Sequence, residues 1–128
     1  MIKNALFAAT MLISILTLSV SVSAHHSAAA QFDTTKEFVL TGVLTELQEV
    51  NPHSMWFVDV KGEDGKVTPW KLEGVSPNNL RRLGLSIKND LKIGGTYSFL
   101  VCPSRDGSKY VFLKAVTVNG KVYQMIQL

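Results

Sequence analysis

The sequence predicts a mainly β domain, a small OB-like barrel of five to six antiparallel strands with one short helix between strands 3 and 4. Three observations carry that expectation. Segments rich in β-branched and aromatic residues, several alternating apolar with polar, recur from residue 37 to 127 with turn residues between them. A single segment, residues 76–84, has helix punctuation at both ends. The first strand is long and carries a glycine near its middle, as a strand that bends to pair on both sides of a barrel would.

The elements follow in order. Residues 37–50 read as the long first strand, with Phe38, Leu40 and Leu44 sharing a parity and Gly42 between them, until Asn51-Pro52 breaks it. Residues 53–61 alternate, with Trp56, Val58 and Val60 on one face and His53, Met55, Phe57 and Asp59 on the other. Gly62-Glu-Asp-Gly65 is a hairpin turn, and residues 67–73 return with Trp70 and Leu72 inward. Pro69 lacks an N–H, so that stretch belongs at an edge or a bulge. Ser76 is suited to cap a helix, Pro77 to open it and Gly84 to stop it in the left-handed region. Leu80 and Leu83, three apart, form its apolar side. Residues 85–95 connect. Strands follow at 96–102 and 109–118, and Asn119-Gly120 is a two-residue turn into a last strand at 121–127.

The beginning of the chain reads as an export signal over residues 1–24. Lys3 supplies the positive end, residues 5–18 carry no charge, and Val22-Ser23-Ala24 ends a run of small residues. The apolar run is shorter than the about 20 residues of a membrane span, so no integral segment is expected after cleavage. Residues 25–36 then form an arm and residues 37–128 the barrel domain, a chain suited to one core. Loss of Lys3 takes the net charge from +3 to +2, too weak to argue for nucleic acid. The expected location is periplasmic or secreted. Cys102, the single cysteine, reads as a buried strand residue.

Together these features resemble an exported bacterial family known only as a domain of unknown function. The matching stretches are Ala24-His25-His26-Ser27, Phe32-Asp33, Leu40-Thr41-Gly42-Val43 and Val50-Asn51-Pro52-His53. They continue with Trp70 and Glu73, Ser76-Pro77-Asn78-x-Leu80-x-Arg82-x-Gly84, Leu91-Lys92-x-Gly94 and Pro103-x-x-Asp106-Gly107. Gly95 and Cys102 depart from the pattern. The resemblance implies export and a small β domain, and it implies no activity.

The sharpest chemistry lies in the histidines. Cleavage after Ala24 frees an α-amine on His25, which with that residue's imidazole makes a chelate. His26 and His53 add two more rings. Amine and imidazole nitrogens favour copper among the divalent first-row metals. They shed their protons near pH about 8 and about 6.5 respectively, so binding should weaken in acid. His25, His26 and His53 are therefore the candidate metal ligands and copper the candidate cofactor, with Met55 a soft donor on His53's strand face.

The alternative is a metal-free OB-like module that binds an envelope protein or polymer. The loop between strands 1 and 2, the loop between strands 4 and 5 and the outer faces of strands 2 and 3 form ligand surfaces in such barrels. That reading selects Asn51, Phe57, Arg105, Asp106 and Tyr110. The carboxylates are scattered, with Glu73 pointing outward as a solvated residue, and there is no catalytic constellation. The sequence argues against an enzyme.

Overall fold

The structure, a computed structural model, describes residues 28–126. Residues 28–31 make one helical turn, and a separate compact unit runs from Gln31 onward. That unit holds six strands: β1 (Phe38–Gln48), β2 (Met55–Lys61), β3 (Val67–Glu73), β4 (Thr96–Cys102), β5 (Tyr110–Val118) and β6 (Lys121–Gln124). Two short helices, α1 (Pro77–Arg82) and α2 (Ile87–Asp90), lie between β3 and β4.

The strand order is β3-β2-β1-β4-β5-β6, and β3 also pairs with β5. This closes five strands into an OB-like barrel, with β6 appended to β5 as a hairpin. The closing pair is parallel, joining Lys71 to Tyr110, Leu72 to Val111 and Glu73 to Phe112, so the barrel is mixed where the sequence had implied antiparallel pairing throughout. A parallel pair cannot be joined by a tight turn, so no local signal announces it.

β1 bends as Gly42 requires. Its first half pairs with β4 through Val43, and its second half pairs with β2 from Val43 onward, with a register shift between Leu44 and Glu46. A side chain at residue 42 would begin 2.6 Å from the Asp59 carbonyl oxygen and 2.7 Å from the Val58 side chain, so only glycine allows the two strands to approach there. Pro69 falls in the part of β3 that pairs with β2 alone, where its missing N–H is harmless.

Ser76 caps α1, its hydroxyl accepting from the Asn79 amide at 3.3 Å, and Gly84 stops the helix at φ +82°. The apolar plug differs from the expected pair. Leu80 and Leu85 are buried while Leu83, the C-cap residue, is exposed, because the chain reverses at Gly84 and turns Leu85 inward. The connector also contains α2, a single turn capped by Ser86. Asn119 and Gly120 both have positive φ, 51° and 78°, as the type I′ hairpin turn demands.

The core is built from the inward parity of each strand, with Leu44, Trp56, Leu72, Phe99, Val101, Leu113 and Val116 fully enclosed. One polar node is buried with it. The Trp56 indole N–H donates to the Ser54 hydroxyl at 2.9 Å, and that hydroxyl donates to the Val75 carbonyl at 2.7 Å. Cys102 is buried and unpaired, and desolvation pushes its thiol up against a weaker pull from Lys114, which leaves it a poor nucleophile. No helix among the described residues is long and apolar enough to cross a membrane.

Candidate functional site

The corner between β1 and β2 is where the chain places its one described histidine. Asn51 is exposed and joined to Pro52 through a cis peptide. His53 comes next, and Ser54, fully buried, fixes the backbone directly after it. The Ser54 amide donates to the Val75 carbonyl at 3.1 Å and its carbonyl accepts from the Gly74 amide at 2.8 Å. Gly74 is required for this clasp, since a Cβ there would lie 2.8 Å from both the Ser54 hydroxyl and the Trp56 indole nitrogen. His53 is thus anchored to the end of β3 rather than carried on a free loop.

Glu73, the last residue of β3, closes the arrangement. Its Oε1 pairs with His53 Nδ1, and its Oε2 accepts a hydrogen bond from the Tyr110 hydroxyl at the start of β5. The Glu73 side chain is only 12% exposed, against 34% for His53. The expectation of a solvated Glu73 is therefore corrected. The residue does point outward from its strand, but two neighbouring strand ends cover it. The signal that would have found it is the hairpin register. The turn at residues 62–65 pairs Lys61 with Val67 and, counting back, Met55 with Glu73, which brings His53 to the same strand end.

Tyr110 is held from several sides. The Phe32 ring meets it edge-on at 5.3 Å, and the Lys71 ammonium lies 4.9 Å from its ring centroid. Phe32 is 1% exposed and also packs on Phe112 at 5.5 Å. The segment around it runs beside the β4–β5 loop. The Arg105 amide donates to the Gln31 carbonyl and the Asp33 amide to the Pro103 carbonyl, each at 2.9 Å. Burial first, then the hydrogen bond to Glu73 and its charge, push the Tyr110 phenol well above its ordinary value of about 10.

That shift sets an alkaline limit. The folded protein keeps the Tyr110 proton after the unfolded chain has lost it, so this contribution is whole below pH about 10 and is lost as pH rises toward the folded value. The denaturation midpoint of the wild type is expected to fall more steeply above pH about 10 than that of Tyr110→Phe. Parallel curves would contradict the assignment.

The remaining sequence candidates divide. Phe57 and Met55 lie half-buried on the outer face of β2, Phe57 opposite Lys71 and Met55 opposite Glu73. Since Lys71 also pairs with Tyr110, Phe57, Lys71 and Tyr110 form one row across three strands. Arg105 and Asp106 are exposed in the β4–β5 turn, where the Asp106 carboxylate accepts from the Ser108 amide at 2.9 Å and is held below the usual carboxylate range by that turn. His25, His26 and residues 1–24, which read as an export signal in the sequence, lie outside the described residues. Among the described residues no group of three or more His, Cys, Asp or Glu side chains is gathered for a metal, so the barrel itself offers His53 with Glu73 behind it. A separate surface cleft of about 410 Å³, lined by Glu49, Arg81, Leu85, Ile87 and Lys88 among others, contains none of the candidates.

Residues 12–112 match the model of a family described as a family of unknown function, DUF6152. No curated protein matches the chain.

Proposed function

We propose that this chain, which belongs to the family of unknown function DUF6152, is an exported binding domain for copper, with nitrogen donors from His25, His26 and His53. The single observation that carries this is the state of His53. One ring nitrogen is engaged by a carboxylate, and the ring is one-third exposed. Histidines that ligate metals commonly give their other N–H to a carboxylate or carbonyl, which sets the tautomer and strengthens the ligating nitrogen. Glu73 stands in that position relative to His53, leaving Nε2 as the nitrogen for a metal.

The other donors belong to the amino terminus that removal of residues 1–24 would create. An α-amine and an imidazole on one residue, followed by a second imidazole, make a nitrogen set that selects Cu(II) by affinity.

Titration of the protein beginning at His25 with Cu(II), against a competing chelator, tests the reading. One equivalent is expected to bind, and His53→Ala is expected to weaken it by roughly tenfold, the size of about 1.4 kcal/mol. Absence of binding would reject copper, and an unchanged affinity in His53→Ala would remove the barrel from the site. A second reading is favoured by the row of Phe57, Lys71 and Tyr110, which places two aromatic rings beside a cation on the face OB-like barrels use for ligands. There Asn51, Arg105 and Asp106 would flank an envelope polymer or protein, and binding would survive chelators.

A further inference from the structure

We infer that Tyr110 is the positioning residue of the His53 site: through Glu73 it holds the imidazole as the Nδ1–H tautomer, so that Nε2 alone presents a lone pair. The inference rests on the copper reading for its purpose, and on the two contacts of the Glu73 carboxylate for its content.

The chain of donors has one direction. A carboxylate accepts hydrogen bonds and has none to give, so a Glu73 carboxylate shared between two partners makes both of them donors. The Tyr110 hydroxyl supplies one proton and His53 Nδ1 must supply the other. The position of the proton on a neutral imidazole is set by the bond its Nδ1 makes. A ring carrying its proton on Nε2 would have to lose it before a metal could bind there, and the Nδ1–H ring does not.

Glu73 needs the second partner to stay in place. Its carboxylate ends a flexible side chain, and His53 contacts only one oxygen. Tyr110 is rigid by comparison. Its ring is wedged by Phe32, covered by Lys71, and fixed at the strand junction where Lys71 and Tyr110 are paired. The hydroxyl therefore marks a fixed point from which the carboxylate is aimed at His53. Tyr110 touches no ligand in this account. It acts through Glu73.

The test reads the tautomer without any metal. Long-range proton–nitrogen spectra of ¹⁵N-labelled, metal-free protein beginning at His25 are expected to show His53 protonated on Nδ1, with Nε2 carrying the lone pair. Tyr110→Phe keeps the ring against Phe32 and removes only the oxygen. It is expected to shift the population toward Nε2–H and to lower Cu(II) affinity about 3- to 10-fold, as loss of one hydrogen bond would. Glu73→Ala, which acts only through His53, is expected to lower it by no more than the roughly tenfold of His53→Ala. A wild-type ring protonated on Nε2, or a Tyr110→Phe protein with unchanged tautomer and affinity, would overturn the inference. An Nδ1–H ring in a protein that takes up no Cu(II) would reject copper and leave the positioning of His53 standing.

Discussion

Phe32→Ala is expected to destabilise the protein by about 3–5 kcal/mol, the range for removing a buried aromatic ring. The residue lies outside every strand, yet it is 1% exposed and packs on two rings of β5. Its loss leaves a cavity beside Tyr110 and Phe112 that the neighbouring segment cannot fill. That segment is held by an antiparallel bridge between Phe32 and Ser104 and by the hydrogen bonds at Pro103 and Arg105. These backbone contacts resist the collapse that would otherwise soften the cost. For a domain near 100 residues each kcal/mol lowers the melting temperature by about 4–8 °C, so a drop above about 12 °C is expected. Val39→Ala, at a strand position 61% exposed, is the control and should change stability by no more than about 0.5 kcal/mol. Denaturant unfolding measures both. A loss below about 1 kcal/mol for Phe32→Ala would mean that the segment is not part of the cooperative unit.

Acetylation of the His25 α-amine is expected to lower Cu(II) affinity by about 100-fold, as a chelate does when one of its linked donors is lost. The amide that forms has its nitrogen lone pair in resonance with the carbonyl and donates poorly to a metal. The reaction can be steered to this amine because an α-amine titrates near pH about 8 and a lysine near about 10.4. Competition titration of acetylated against free protein reads the change, with the same His53 present in both. Equal affinities would show that the α-amine is not a donor, and the chelate proposed on His25 would be lost.

The parts of the molecule legible in the sequence are those with a local cause. Gly42 marks a bend because no side chain fits between β1 and β2, and Asn119-Gly120 marks a hairpin because both residues must adopt positive φ. Ser76, Pro77 and Gly84 bound a helix through capping chemistry within nine residues. The parts that escaped have non-local causes. The parallel β3–β5 junction closes the barrel through residues about 40 positions apart, and nothing near Leu72 or Val111 announces it. Phe32 is one aromatic residue in a polar stretch, and only the fold supplies the rings that bury it. The site was half legible. His53 stood out by type and by following a strand break. Glu73 reads as a surface residue because its partners come from the β1–β2 corner and from β5, both distant in the chain. Tyr110 reads as a ligand-facing residue in the sequence, and nothing near it in the chain announces that its hydroxyl donates to Glu73.

The most direct measurement is the pattern of paramagnetic broadening when the protein beginning at His25 receives less than one equivalent of Cu(II). Amide signals of residues 53–55, 73–74 and 110 are expected to broaden together with those of the first residues, and His53→Ala is expected to abolish the broadening at these strand ends. Broadening that spares these strand ends, whether confined to the first residues or gathered at the Glu49–Lys88 cleft, would contradict this expectation.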